Sequence, residues 1–136
     1  EKALEITRKN AEKHQVAERL HLRNSDIFSA LPDTKFDLIV SNPPYISIND
    51  FAGLQPEVHD FEPKTALTDN QDGLSIIRKI IVDSPKYLKN NGVLLMEIGF
   101  NQAENVRQMF SDNIWQSVEI LRDLQDIPRT VKAILE

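Results

Sequence analysis

The chain has no cysteine among its 136 residues, which excludes disulfides, thiolate zinc sites and a cysteine nucleophile. Glycine is scarce: Gly53, Gly73, Gly92 and Gly99 are all there are, and no two of them make a G-x-G. Positive charge is in the minority, 16 Lys and Arg against 21 Asp and Glu, giving a formal net charge of -5 and a sequence pI of about 5.2. The two signs are mixed along the chain rather than gathered into a patch. Phosphate binding rests mainly on clustered Lys and Arg, so no nucleic-acid surface is expected. No apolar run is long enough to span a bilayer and no signal peptide is visible, which makes the cytoplasm, or an organelle matrix, the default compartment and leaves no membrane partner. His14, His21 and His59 have no metal-ligand spacing, and no metal site is expected from them. The sequence opens without Met, already inside a helical pattern, and reads as a fragment.

What is present, at 40% hydrophobic residues, suffices for a modest core in one domain or part of one. Ala3, Leu4, Ile6 and Ala11 recur at three- and four-residue spacings among charges, which predicts an amphipathic helix over roughly 1–14. Leu20 and Leu22 alternate with polar neighbours as in a short strand. Phe36 to Val40, FDLIV, is a compact apolar run suited to a parallel strand covered on both faces. A long irregular stretch, 46–70, precedes a helix marked by Leu74, Ile76, Ile77, Ile80 and Ile81. Ser84-Pro85 looks like an N-cap and first helical position, and Asn90-Asn91-Gly92 like the stop after it. Val93 to Ile98 reads as a second buried strand, Gln102–Phe110 as a helix, and WQSVEIL and RTVKAIL as an antiparallel pair around the turn DLQDIP. Helices alternating with apolar strands predict a three-layer α/β fold with a largely parallel sheet.

The stretch Ser41-Asn42-Pro43-Pro44-Tyr45-Ile46 follows at once on FDLIV, where ligands of open α/β sheets sit, beyond the carboxyl ends of the strands. Neither proline has an N–H and both have fixed φ, so the loop is rigid and its backbone presents acceptors. Asn42 adds an amide oxygen and Tyr45 a flat face. Such a corner suits a planar NH2 group held by both hydrogens. An amide or arylamine nitrogen is a poor nucleophile because its lone pair is delocalised; two acceptors on its N–H bonds favour pyramidalisation and aim the lone pair at an electrophile, with orientation supplying much of the rate. The plain alternative is a strand terminator beside a surface or core aromatic.

FDLIVSNPPYI resembles motif IV of the amino-methyltransferases that use S-adenosylmethionine. With FEP (Phe61 to Pro63), Ala66-Leu67, DGL (Asp72 to Leu74), LLMEIG (Leu94 to Gly99) and the closing Asp126 and Arg129, the chain is similar to the HemK/PrmC protein-(glutamine-N5) methyltransferases, over nearly its whole length and in order. The resemblance implies a Rossmann-like class I S-adenosylmethionine-dependent methyltransferase fold and, as activity, methylation of the glutamine of the GGQ motif in peptide-chain release factors, its protein partners. It implies a catalytic and substrate-binding loop of Asn42, Pro43, Pro44 and Tyr45, with Glu62 of FEP facing substrate or anchoring its loop, against the plain reading of a solvated surface carboxylate. Asp26 of NSDIF would accept from the cofactor's adenine amino group, or is a turn or cap aspartate. Ile27 would cover the purine, or is a core residue. Asn42 would also lie next to S-adenosylmethionine. N-P-P-Y alone is shared with DNA adenine and some RNA methyltransferases, so an N6-adenine enzyme is the nearest alternative; a non-catalytic interaction module is a third reading.

The family fold opens with a strand and a glycine-rich loop that cradles the methionine moiety, then a second strand ending in an acidic residue. The sequence departs from that pattern: the fold is expected to be N-terminally truncated, with 1–136 as a partial catalytic domain and its cofactor determinants incomplete. In the implied strand order 3-2-1-4-5-7-6, the Leu20–Leu22 and Phe36–Val40 strands would flank the absent pair and expose unpaired edges. Residues 1–30 are therefore expected to be rearranged, disordered or paired with another copy through those edges, and the chain alone to be inactive.

Overall fold

Apolar runs interrupted by polar turns make four strands, and the end of the first is where the chain's unusual loop begins. The computed structural model describes residues 2–136, and the chain divides into two units, Glu1–Thr34 and Lys35–Glu136. In the first, α1 (Lys2–Lys13) buries Ala11 and carries an exposed Lys9–Glu5 pair at 2.8 Å, worth at most about 0.5 kcal/mol. A 3₁₀ turn, Ala17–Arg19, follows. The strand expected at Leu20–Leu22 does not form. Leu20 is extended, with φ -116 and ψ 130, but no residue of 20–25 joins a ladder. Alternation makes a strand only where a neighbouring strand takes its N–H and C=O groups, and none runs beside it among the described residues.

The second unit runs β1 (Phe36–Ser41), α2 (Ile48–Phe51), α3 (Pro56–His59), α4 (Lys64–Leu67), α5 (Ser75–Asp83), a 3₁₀ turn at Ser84–Lys86, β2 (Leu88–Glu97), α6 (Ala103–Arg107), β3 (Trp115–Arg122) and β4 (Pro128–Leu135). The stretch expected to be irregular thus contains three one-turn helices. One sheet forms in the order β1-β2-β4-β3, the 4-5-7-6 part of the order that the resemblance implies. β1 runs parallel to β2, while β4 is antiparallel to both β2 and β3. The sheet is therefore mixed rather than largely parallel, because the closing hairpin inserts its second strand beside β2.

Three further expectations change. β1 is an edge strand whose Leu38 and Val40 are 49% and 69% exposed, so it is not covered on both faces. Asn90-Asn91-Gly92 does not stop a helix but lies inside β2, where Asn91 has φ 61 and the register with β1 jumps from Leu88 to Val93. An extra loop of residues on one strand is how a bulge absorbs a left-handed Asn. Ser84 is helical and buried at the end of α5, its hydroxyl aimed at the Ile81 carbonyl at 3.5 Å, and caps nothing with its side chain.

The core follows the two periodicities. α5 buries Ile77, Ile80 and Ile81 at helical spacing; β2 buries Leu94 and Met96 and β4 Val131, Ala133 and Leu135 at alternate positions. Val106 of α6 and Trp115 complete it, Trp115 standing edge-on to Phe110 with centroids 5.3 Å apart. Each large apolar side chain so buried stabilises the unit by about 1.5–3 kcal/mol. Truncating Leu94, fully buried at the centre of the sheet, to Ala would cost about 2–5 kcal/mol.

Candidate active site

The register Val40↔Leu95 and Ser41↔Met96 makes β1 and β2 end at the same edge of the sheet, which brings Asn42–Tyr45 beside Glu97 although they are more than 50 residues apart in sequence. The Tyr45 hydroxyl donates to Glu97 Oε1 at 2.7 Å. Burial, with the bond to Glu97 and its charge, raises the Tyr45 phenol above its ordinary value of 10.0, against a smaller opposing pull from Arg129. Tyr45 is therefore neutral and a donor at physiological pH. Arg129 itself pairs with Asp123 at 3.7 Å, while Asp126 stands at the hairpin turn with φ 63.

Past Tyr45 the chain is tied to residues 67–71. Ile46 N–H donates to the Leu67 carbonyl at 3.0 Å, Ile46 bridges Thr68, and Ile48 N–H donates to the Gln71 carbonyl at 2.9 Å. The DGL turn is organised by Asp69. Its Oδ1 accepts from the N–H groups of Gln71 and Gly73 at 2.8 and 3.0 Å, and its Oδ2 from the N–H and hydroxyl of Ser75 at 2.9 and 2.6 Å. Burial raises the Asp69 carboxyl, but the bonds from Ser75, Gln71 and Gly73 outweigh it and leave the group below its ordinary 3.8. Gly73 sits at φ 76, where a Cβ would collide with the Tyr45 carbonyl oxygen; D-G-L needs its glycine for both reasons.

Between this loop and the helices after it lies a cavity of about 130 Å³, with Asn42, Pro43, Tyr45 and Ile46 on one side and Glu62, Ala66 and Leu67 on the other. That is about four times the ~30 Å³ share of a liquid water molecule and below the ~300 Å³ of a small drug site, a size for a side chain's end. Asn42 is exposed and Pro43 buried. Among the described residues neither the Asn42 carboxamide nor the Pro43 carbonyl has a hydrogen-bond partner. Glu62 is exposed and close enough for its charge to act on Tyr45. Pro44 is half-buried and does not line the cavity. Four of the expected residues, Asn42, Pro43, Tyr45 and Glu62, are thus brought together.

Asp26 and Ile27 lie in the first unit, in a turn held by Ser25 and Ser29: Ala30 N–H donates to Ser25 Oγ at 2.9 Å and Asp26 N–H to Ser29 Oγ at 3.1 Å. The Asp26 carboxylate is exposed and caps nothing. Ile27 is half-buried at φ 54, a left-handed conformation that is strained for a β-branched residue. A cavity of about 520 Å³ in this unit is lined by Arg8, Ala11, Leu20, Arg23 and their neighbours, without Asp26 or Ile27. The resemblance assigns Asp26 and Ile27 in the first unit and Asn42 in the second to S-adenosylmethionine; taken singly, the Asp26 carboxylate and the Asn42 carboxamide are of a chemistry that suits a nucleoside's amino and hydroxyl groups.

Sequence reasoning assigned no role to Glu97, Gln102, Gly73 or Asp69. Glu97 and Gly73 stand inside MEIG and DGL, so the motifs pointed near them; the signal for Asp69 was its Asx spacing to Gln71.

Residues 1–53 match the family described as Methyltransferase small domain. The chain is 42% identical over 129 residues to the release factor glutamine methyltransferase of Geobacter sulfurreducens, covering 95% of this chain and 45% of that protein. It is 44% identical over 100 residues to the ribosomal protein uL3 glutamine methyltransferase of Francisella tularensis, covering 74% of this chain and 32% of that protein. In structure it resembles a ribosomal protein L11 methylase from Lactobacillus delbrueckii subsp. bulgaricus, with TM-score 0.57 and 18% identity over 95% of this chain and 49% of that one. The mixed sheet with its strand order and this likeness define the class I methyltransferase fold, in the carboxyl-terminal part of the domain. Within that class its sequence is similar to the release factor glutamine methyltransferases (HemK/PrmC). It spans less than half the length of either curated relative above.

Proposed function

We propose that the protein carrying this chain transfers a methyl group to the side-chain amide nitrogen of a glutamine in a protein substrate. The observation that carries the reading is the pairing of two unengaged groups, the Asn42 carboxamide and the Pro43 carbonyl, at a cavity of side-chain size on the carboxyl edge of β1. Their oxygens would accept the two hydrogens of the substrate NH2, and the Tyr45 ring, held by Glu97, would pack against the flat amide. Fixing both N–H bonds takes the nitrogen towards the pyramidal geometry in which its lone pair is available. S-adenosylmethionine, when bound, supplies the methyl as an electrophilic sulfonium carbon. The resemblance assigns its holding to Asp26 and Ile27 in the first unit and Asn42 in the second. The chemistry it would supply is a direct displacement at that carbon, with the thioether leaving and the methylated amide losing its proton to water, so the residues of this loop would need to hold and aim the amide but to supply no general base.

Two names among the relatives, release factor and ribosomal protein uL3 glutamine methyltransferase, define the protein substrates to try, and release factors come first because FEP, DGL and MEIG together resemble that group. Incubating the full-length protein with tritiated S-adenosylmethionine and either a release factor, ribosomal protein uL3 or duplex DNA decides the matter. Label on the release factor's glutamine is the expected result. Label on uL3 alone moves the substrate while leaving the chemistry, and label on DNA alone overturns the reading in favour of an adenine enzyme.

A further inference from the structure

Gln102, the residue before α6, makes three hydrogen bonds with one side-chain amide. Its Nε2 donates to the Tyr45 carbonyl at 2.9 Å and to the Gly73 carbonyl at 3.3 Å, and its Oε1 accepts from Gly99 N–H at 2.8 Å. Two carbonyls on one side and an N–H on the other leave a single orientation of the amide that satisfies all three. The three partners come from separate segments: the loop after β1, the DGL turn and the end of β2. Both glycines permit the approach. A Cβ at Gly99 would stand 2.9 Å from Gln102 Oε1, and one at Gly73 would meet Gln102 Nε2 at 3.1 Å. Tyr45 is consequently held at both ends, its carbonyl by Gln102 and its hydroxyl by Glu97. The residue fixed in this way immediately follows the two prolines whose rigidity passes its position back to Asn42.

We propose that Gln102 is a positioning residue for methyl transfer: its carboxamide sets the distance of the Asn42–Tyr45 loop from the ends of β2 and the DGL turn, and so aims the acceptors at the substrate amide. The inference rests on the glutamine-methylation reading. Gln102 touches no reacting atom and acts through the Tyr45 carbonyl, so its loss falls on turnover more than on affinity for the methyl donor.

Replacing Gln102 by Glu keeps the shape and the acceptor for Gly99 but, once ionised, offers no donor to the two carbonyls. Protonation restores one O–H donor, and carbonyls beside the carboxyl favour its protonated form. In the full-length protein with a release factor as substrate, Gln102→Glu is expected to lower kcat by about 10- to 100-fold at pH 8, the scale of a small misplacement of reacting groups. The deficit should narrow several-fold at pH 6, with the KM for S-adenosylmethionine within about twofold of wild type. Gln102→Ala should show a comparable deficit at both pH values. Wild-type kcat in either variant at pH 8, or a Gln102→Glu deficit that is the same at both pH values, overturns the proposal alone. Absence of glutamine methylation by the wild-type protein overturns the functional reading and this proposal with it.

Discussion

Asn42 is exposed, and its carboxamide has no partner among the described residues, so the fold asks nothing of that amide. Asn42→Ala should therefore shift the stability of the full-length protein by less than about 0.5 kcal/mol, as at an uncoupled surface position. Turnover should fall by about 100-fold or more, the scale of removing one preorganised hydrogen-bonding group at a reacting centre. A melting curve beside a methyl-transfer assay checks both halves; unchanged turnover would remove the basis of the proposed chemistry. Asp69 is the opposite case, a carboxylate that acts on structure. Its carboxyl is lowered below 3.8 in the folded chain. A group depressed on folding contributes stability in full above its unfolded pKa and loses it as pH falls through the folded one. Asp69→Asn should accordingly cost about 1 kcal/mol near pH 7, with allowance for partial exposure. The gap between its melting temperature and that of wild type should close below pH 4. Comparing variant with wild type separates Asp69 from Asp37, Asp72 and Asp123, which are depressed as well; a gap constant from pH 7 to pH 3 would contradict the assignment.

Elements built on continuous or periodic apolar runs were legible in the chain. β2, β4 and the Ile77–Ile80–Ile81 stripe of α5 stand where the pattern puts them because burial alone decides them. Leu20–Leu22 shows the limit: its alternation is real, yet a strand also needs a partner for its backbone, and that is not written in its own residues. The left-handed Asn91 was legible as an unusual backbone but not as a bulge, since only the register with β1 distinguishes a bulge from a stop. In the site, Asn42, Pro43 and Tyr45 were readable as one loop. The Glu97 and Gln102 contacts were not, because they depend on which strand ends the sheet order brings together. The DGL turn carries an element-scale prediction. Gly73→Ala meets the Tyr45 carbonyl at a positive φ, and should cost about 2 kcal/mol or more and displace the 42–45 loop. Gly53→Ala, with only an ordinary 3.5 Å contact and no positive φ, should be within about 0.5 kcal/mol of wild type. Denaturant melts of the two variants test this directly, and equal stabilities would show that the turn is free to move away from Tyr45.

At the scale of the whole chain, the two sides of the proposed reaction are unequally equipped. The groups proposed for the acceptor side, loop, cavity, Glu97 and Gln102, all lie within Lys35–Glu136. For the donor side the resemblance offers Asp26 and Ile27 in one unit and Asn42 in the other, and the four glycines form no G-x-G, so no backbone N–H cradle of that kind can approach a cofactor closely. A few edge contacts without a cradle leave little surplus over the translational and rotational freedom lost on binding. Isothermal titration of these 136 residues with S-adenosylmethionine should therefore give a dissociation constant weaker than about 1 mM, a binding free energy of roughly 4 kcal/mol or less. The full-length protein, titrated in parallel, should bind at least about a hundredfold more tightly if the missing contacts lie elsewhere in it. Micromolar binding by the 136 residues would mean instead that the chain carries sufficient donor contacts of its own, and that the glycine loop is dispensable for holding the cofactor.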